Sequence, residues 1–586
     1  MTSYIIVQYV TPNSKSFMKK SIFHLLHSTP IFYALLSIFA ILFSSWLMFH
    51  TFSFDQRTQS IEIAGKCWSD FGAHIPLIRS FSMGGNFDRI IHFKLPEYPI
   101  FPGEPIRYHF IFYMIVGLLE KAGLRIDWAL NIPSIIGFSS FLILIGIISY
   151  KLFRSYAISL FSVVFFLFNG SFSLLKFFEK NPISLATPWQ IITATQFPSF
   201  GPWDQGLVSA FWNLNIYTNQ RHLAAGFALG LGFIALLLYL EKKSWKKQLP
   251  FLFITVPLLS FLPYFHQPML LIIGLFMAWY FLVFPNLRIF LLLTGLLSEG
   301  PIIFQLLSFA KDASAFGWYP GYLLHGNFTP LSFLTYWFHN LGLHLILIPI
   351  GFFLSPQRAK KILLPMFFLF LIANCFKFSV EIAANHKFFN FFMIFGNMIS
   401  AYVLVSLYYK IKRCSKHLFI CRFVYLLIGL LLLLLTLSGI IDFFVVYNDH
   451  TIPIVDIPRS EIPTWISEHT PKDAIVLNSS YLYHPASIAG RSIFLGWPYF
   501  PWSSGYKENR MLIMNKMYES KDPNVFCPLL KKYNISYVTV EPVSGNPDLP
   551  TIAPSYFRSV DEPVFLTENN QYAIYSTDSL CQTFTP

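Results

Sequence analysis

The sequence predicts a polytopic α-helical membrane protein of about eleven transmembrane helices, followed by a small α/β domain outside the cytoplasm. Three observations predict it. The chain is 54% hydrophobic and only 12% charged, with a mean hydropathy of +0.53 over 586 residues, whereas a soluble domain carries about a quarter charged residues. Its Lys and Arg clusters fall between long apolar runs, as they do on the cytoplasmic side of membrane proteins. The apolar runs stop near Pro453, and short helix and strand patterns follow. The formal charge of +13 therefore reflects topology. No basic-aromatic groove pattern accompanies it, so nucleic acid is not an expected partner.

Lys19 and Lys20 precede an apolar run from Pro30 to Phe49. That run exceeds the roughly 7–15 residues of a signal-peptide core and shows no cleavage site of small residues. Residues 1–29 are read as a cytoplasmic segment and the run as a retained first span. The joints Glu241-Lys242-Lys243, Arg358-Ala359-Lys360-Lys361, Lys410 to Lys416 and Lys151 to Arg154 are assigned inside. The segments outside are then Thr51 to Pro105, Lys176 to Arg221, Lys311 to Thr329, Lys377 to Asn390 and the chain after Val446. Only one crossing fits between the first outer loop and Lys151. Tyr108 to Leu119 is short of the roughly 20 residues a crossing needs, so it is placed along the outer interface as an amphipathic helix. The spans start near 30, 131, 155, 222, 248, 268, 288, 331, 361, 391 and 418. Leu249 to Pro263 is the shortest of them, and the parity of the whole depends on it.

The expected domains are a membrane domain over 30–450, with outer interfacial helices in 51–130, and an extracytoplasmic α/β domain over 451–586. In the latter, Glu461 to Ile466 and Cys527 to Tyr533 read as helices, and Asp473 to Leu477 and Ser536 to Val540 as strands. Six cysteines are scattered without metal-ligand spacing. Cys527 and Cys581 either pair in an exported region or remain two free thiols.

Three outward segments carry the polar chemistry. In Trp68-Ser69-Asp70-Phe71-Gly72-Ala73-His74, Asp70 and His74 stand at i and i+4 and share a helix face. Arg79 follows, and Glu104, Arg107 and His109 lead into the interfacial run. A carboxylate with cations beside it suits a general base next to a phosphate. The second segment offers Asp204, then amides and aromatics up to Arg221 and His222, a surface that suits hydroxyl-rich ligands. The third holds His386 and Lys387 at the start of a span, where a charge-assisted contact to a lipid-linked phosphate is expected. Each set also has an ordinary reading: a hydrated loop, an interfacial aromatic belt, a snorkelling lysine. His266 and His344 fall at or within spans and read as packed histidines. No P-loop, dinucleotide fingerprint, HExxH or GxSxG occurs, which argues against a nucleotide-driven pump.

The order of these parts resembles the C-type (GT-C) membrane glycosyltransferases, the superfamily of protein O-mannosyltransferases and aminoarabinose transferases. The detail is similar to bacterial members through Trp68 to Pro76, Pro102 to His109, Ala489-Gly490-Arg491 and Leu495-Gly496-Trp497. The resemblance implies an inverting transferase of the cell envelope, multi-pass in the inner membrane with its N-terminus cytoplasmic. It implies a polyprenyl-phosphate sugar donor, an acceptor hydroxyl on a glycan, lipid or protein, and Asp70 as base. A second outer acid is common in the superfamily and Asp204 matches it; relatives often carry Asp-Glu where this chain has Asp70-Phe71. The phosphate would be held among His74, Arg79, Glu104, Arg107, His109, Arg221, His222, His386 and Lys387. No cofactor is specified, and use of a divalent metal stays open. Two other readings are a non-catalytic membrane scaffold and a lipid-sugar transporter. The latter has few intramembrane polar residues to work with, chiefly Glu299, Gln305 and Asn374.

Overall fold

A computed structural model describes residues 29–199, 207, 212–309, 315–324, 326–414, 418–541 and 554–582. Asp204 and the segment before Thr29, expected to be cytoplasmic, lie outside the described residues. The chain is mostly helical. Among the described residues, six helical segments are long and apolar enough to cross a membrane: Pro30–Thr51, Ile126–Phe153, Arg221–Leu240, Trp245–Val283, Pro285–Leu307 and Ile382–Ile411. The number rises to eight if two bent pairs each count as one crossing. These are Pro330–Leu341 with His344–Leu354, bent by 90°, and Val424–Leu434 with Leu437–Tyr447, bent by 42°. Tyr156–Leu167 is apolar but shorter.

Local chemistry sets the turns. Arg154 adopts a left-handed conformation (φ 54°) that stops one helix, and the Ser155 hydroxyl then caps the next by accepting from the Ile158 N–H. The segment Leu252–Val283 is broken at His266, which has non-helical torsions and lies between Pro263 and Pro268. Each proline removes a helical hydrogen bond. The two ends of this segment meet: the Gln248 side chain donates to Leu240 O, Lys243 O and Asn286 O, all at 3.0 Å. It is therefore a hairpin whose second leg runs down the Arg221–Leu240 helix, with His266 against Gly226 and Met269 against Gly230. The two runs expected to start near 248 and 268 are its legs.

Buried apolar side chains among the described residues form two large cores and two small clusters. One large core joins the apolar helices, from Phe32 to Val446. The other combines residues of the first loop, Phe52 to Leu130, with Ile466 to Cys581. The C-terminal segment thus shares a core with the first loop. Strand pairing adds to this. β1 (Phe52–Asp55) and β2 (Ser60–Ala64) form a hairpin, and β3 (Thr451–Val455) pairs antiparallel with β2. Further on, β4 (Ile475–Leu477), β5 (Ser492–Ile493), β6 (Ile535–Val540), β7 (Phe565–Leu566) and β8 (Ala573–Ser576) make one mixed sheet in the order β5-β4-β6-β8-β7. Cys527 and Cys581 form a disulfide beside it. The run placed along the interface forms a helix at Ile111–Lys121 with Phe112, Tyr113, Val116 and Gly117 buried.

Candidate functional site

Asp70 lies in the first turn of the helix Trp68–Ser82. The C-terminal segment fixes this helix. The Tyr483 hydroxyl donates to Trp68 O, and the two rings are 4.2 Å apart. Leu482 occupies the space a side chain on residue 72 would need, which explains Gly72. Asp70 itself is partly buried and has no hydrogen-bond or ion-pair partner among the described residues. Burial pushes its carboxyl up to about 6; the Lys387 ammonium pulls it back and Glu381 adds to the rise.

Lys387 and Glu381 flank a short turn, Ile382–Asn385, that enters the helix His386–Cys414. Asn385 pins the turn by donating to Ala373 O at 2.9 Å and Phe376 O at 2.7 Å. Lys387 is 7% exposed and, like Asp70, has no hydrogen-bond or ion-pair partner among the described residues. Glu381 accepts a hydrogen bond from the Tyr499 hydroxyl. Burial raises its carboxyl, offset by that bond and by Lys387. One ammonium thus lies in the field of two carboxylates.

Beneath Asp70 is a nest of histidines and tyrosines. His109 Nε2 and His222 Nε2 are 2.6 Å apart, so one must carry the proton they share, and the Tyr113 hydroxyl is 2.8 Å from His222 Nδ1. His74 stacks on Tyr113 at 4.5 Å. The His266 ring is 5.4 Å from His109 and 5.8 Å from His222, and neither of its ring nitrogens has a hydrogen-bond partner among the described residues. Burial, with Arg221 adding to it, holds the His74 imidazole down to about 3. His109 is also held well below the ordinary range, by burial first and then by Lys387. In both rings burial favours the neutral form. His386 is bonded through Nδ1 to Asn390 at 3.1 Å.

The arginines lie elsewhere. Arg79 is buried, 2.7 Å from Asp456 and 3.0 Å from Glu120, and it donates to Ile488 O. Arg107 pairs with Glu104 at 3.0 Å, donates to Gly505 O and covers the Tyr506 ring at 4.6 Å. These three expected phosphate-site residues, Arg79, Glu104 and Arg107, tie the first loop to the C-terminal segment. Arg221 lies closer, 5.6 Å from the Phe71 ring, but its donors go to Thr218 O, Thr51 Oγ1 and Met48 O. Glu381, Tyr499 and His266 were not singled out as site residues from sequence. The available signals were a carboxylate within the quoted Lys377 to Asn390 segment and a histidine set between two prolines.

Among the described residues, no three His, Cys, Asp or Glu side chains are grouped to hold a metal ion. The donor set also suits a hard divalent cation poorly, because the two carboxylates already face an ammonium and the nearest other donors are imidazoles.

No family model matches the chain and no curated protein matches its sequence. Among solved structures it has a distant likeness to the oligosaccharyltransferase of Archaeoglobus fulgidus. The apo form is 12% identical over 88% of this chain and 70% of that one, with a TM-score of 0.43. The complex with Zn and sulfate is 12% identical over 92% and 73%, with a TM-score of 0.44. The archaeal oligosaccharyltransferase AglB bound to an inhibitory peptide and a dolichol-phosphate is 13% identical over 94% and 74%, with a TM-score of 0.41.

Proposed function

We propose that the protein is an inverting membrane glycosyltransferase that moves a sugar from a polyprenyl-phosphate donor to an acceptor hydroxyl. The observation that carries this reading is the pair of charged groups Asp70 and Lys387, close enough for the ammonium to act on the carboxyl and neither with a hydrogen-bond or ion-pair partner among the described residues. In the reaction, the acceptor oxygen bonds to the anomeric carbon as the bond from that carbon to the donor phosphate oxygen breaks. Asp70 takes the hydroxyl proton, and the lipid phosphate leaves with its negative charge facing Lys387. Such a preorganised cation stabilises charge that develops at the leaving group. A carboxyl near 6 is ionised at neutral pH yet basic enough to accept a proton. Histidines and tyrosines, His74, His109, His222 and Tyr113 among them, pack together at the Asp70 helix.

The reading includes about eleven crossings, counting both legs of the His266 hairpin and the shorter apolar helices. It places the N-terminus in the cytoplasm of an inner membrane and the C-terminal sheet outside. The Cys527–Cys581 disulfide supports that side, since such bonds persist in oxidising compartments.

The test is sugar transfer in liposomes holding the full chain and a labelled polyprenyl-phosphate sugar, with extracted envelope material as acceptor. Labelled product from the wild type and none from Asp70→Asn, with both proteins equally inserted, is the expected result. Transfer by Asp70→Asn at the wild-type rate removes Asp70 from the mechanism. Movement of label across the bilayer without product favours a transporter.

A further inference from the structure

In the C-terminal segment three large rings are exposed within six residues: Trp497 at 39%, Tyr499 at 39% and Trp502 at 50%. Tyr499 and Trp502 form one surface, with centroids 5.9 Å apart, while Trp497 meets Tyr481 edge-on at 6.3 Å. The backbone that carries them is held firmly. The Gly496 N–H donates to Ile100 O at 2.9 Å, and Ile100 lies where a side chain on residue 496 would project. On the far side, Arg107 donates to Gly505 O at 2.9 Å and the Tyr506 hydroxyl to Pro105 O at 2.6 Å. The rings are therefore presented by a clamped segment. The surface continues into the cleft, because the Tyr499 hydroxyl donates to Glu381.

We propose that this aromatic surface binds the acceptor, and that the acceptor is a carbohydrate. The inference rests on the transferase reading above. A pyranose has two kinds of surface: a C–H face that packs on aromatic rings and an edge of hydroxyls that donate to carboxylates. The protein presents both side by side, with exposed rings at Tyr499 and Trp502 and, next to Tyr499, the carboxylates of Glu381 and Asp70. An acyl chain matches only the rings and would bring carboxylates against hydrocarbon, which is costly. A sugar stacked on Trp502 with its hydroxyl edge towards Glu381 is directed at Asp70, where the reading needs a hydroxyl.

The experiment uses the full chain in nanodiscs of phosphatidylethanolamine and phosphatidylglycerol. Tryptophan fluorescence is titrated with hexasaccharides of glucose, mannose, galactose and N-acetylglucosamine. Saturable binding of at least one hexasaccharide is expected, weakened about tenfold or more in Trp502→Ala and in Trp497→Ala, the usual scale for truncating an anchoring aromatic. Failure of all four sugars to bind saturably overturns the proposal. So does quenching of the Trp502 signal by brominated acyl chains, taken as the difference between wild type and Trp502→Phe, because that ring would then belong to the bilayer. Saccharide binding without any transfer counts against the transferase reading and leaves the carbohydrate site standing.

Discussion

Where the first outer loop meets the C-terminal segment, Arg79 lies 2.7 Å from Asp456 and 3.0 Å from Glu120. Arg491 donates to Thr470 O, Ser467 O, Ala489 O and Met83 O. Arg510 pairs with Glu508 and lies 3.7 Å over the Phe101 ring. In the cleft, Asp70 and Lys387 are held by packing and have no hydrogen-bond or ion-pair partner among the described residues. A buried cation surrounded by acceptors holds the fold together. A buried charge left with only the field of its neighbours is available to a ligand. Several residues that a sequence reader assigns to phosphate binding belong to the first class, and substitution separates the two.

The largest effect is expected at Asp70. Asp70→Asn should lower transfer by about 10²- to 10⁴-fold, the contribution typical of a general base, without lowering the unfolding temperature. The linkage has a definite sign. The folded-state value near 6 lies above the ordinary 3.8, so the folded state holds the proton more tightly than the unfolded chain. The stability this gives is complete below about pH 4 and is lost as pH rises through about 6. A neutral Asn relieves that loss, so thermal unfolding at pH 7.5 should show equal or greater stability. A destabilised variant would move Asp70 into the structural class.

Arg79→Ala is the mirror case. It leaves Glu120 and Asp456 as buried carboxylates without their cation, which should cost about 3–5 kcal/mol. The expected readout is a lower unfolding temperature with transfer per folded molecule unchanged. A selective loss of donor binding at unchanged stability would return Arg79 to the site.

The two classes were unequally legible. The helix carrying Asp70, the first span, and the lysine at the mouth of a later one follow from local patterns, because helix period and apolar length are written in neighbouring residues. The pairing of Arg79 was not legible, since Asp456 stands 377 positions away and no local pattern reports such a partner. For the same reason no local pattern reports that Ile466 to Cys581 share a core with the first loop. Neither Glu381 nor His266 was picked out. Glu381 gains its meaning from Tyr499 and Lys387, and His266 from a backbone break that returns the chain to His109 and His222.

Lys387→Gln should lower the maximal transfer rate by about 10²- to 10³-fold, as for loss of one donor to developing charge. It should also change the pH profile. Asp70 must be ionised to accept a proton, so transfer should rise with pH through about 6. Lys387 holds that value down, and without it the acidic limb should move to higher pH.

Glu381→Gln should have the smallest effect on rate, and the opposite effect on the profile. Glu381 is a negative neighbour that raises the Asp70 carboxyl. Gln removes the charge while keeping an acceptor for the Tyr499 hydroxyl, so the acidic limb should move to lower pH, with less than about a tenfold change in rate at pH 7.5. Tyr499→Phe is the control, because it removes the hydrogen bond and keeps the charge, which leaves Glu381 more readily protonated. A merely structural Glu381 would change stability and rate together without shifting the limb. Opposite shifts from Lys387→Gln and Glu381→Gln, measured on the same Asp70-dependent profile, require both groups to act on one carboxylate. Shifts in the same direction, or none, would separate Lys387 and Glu381 from Asp70 and remove the distinction between the cleft and the paired arginines above it.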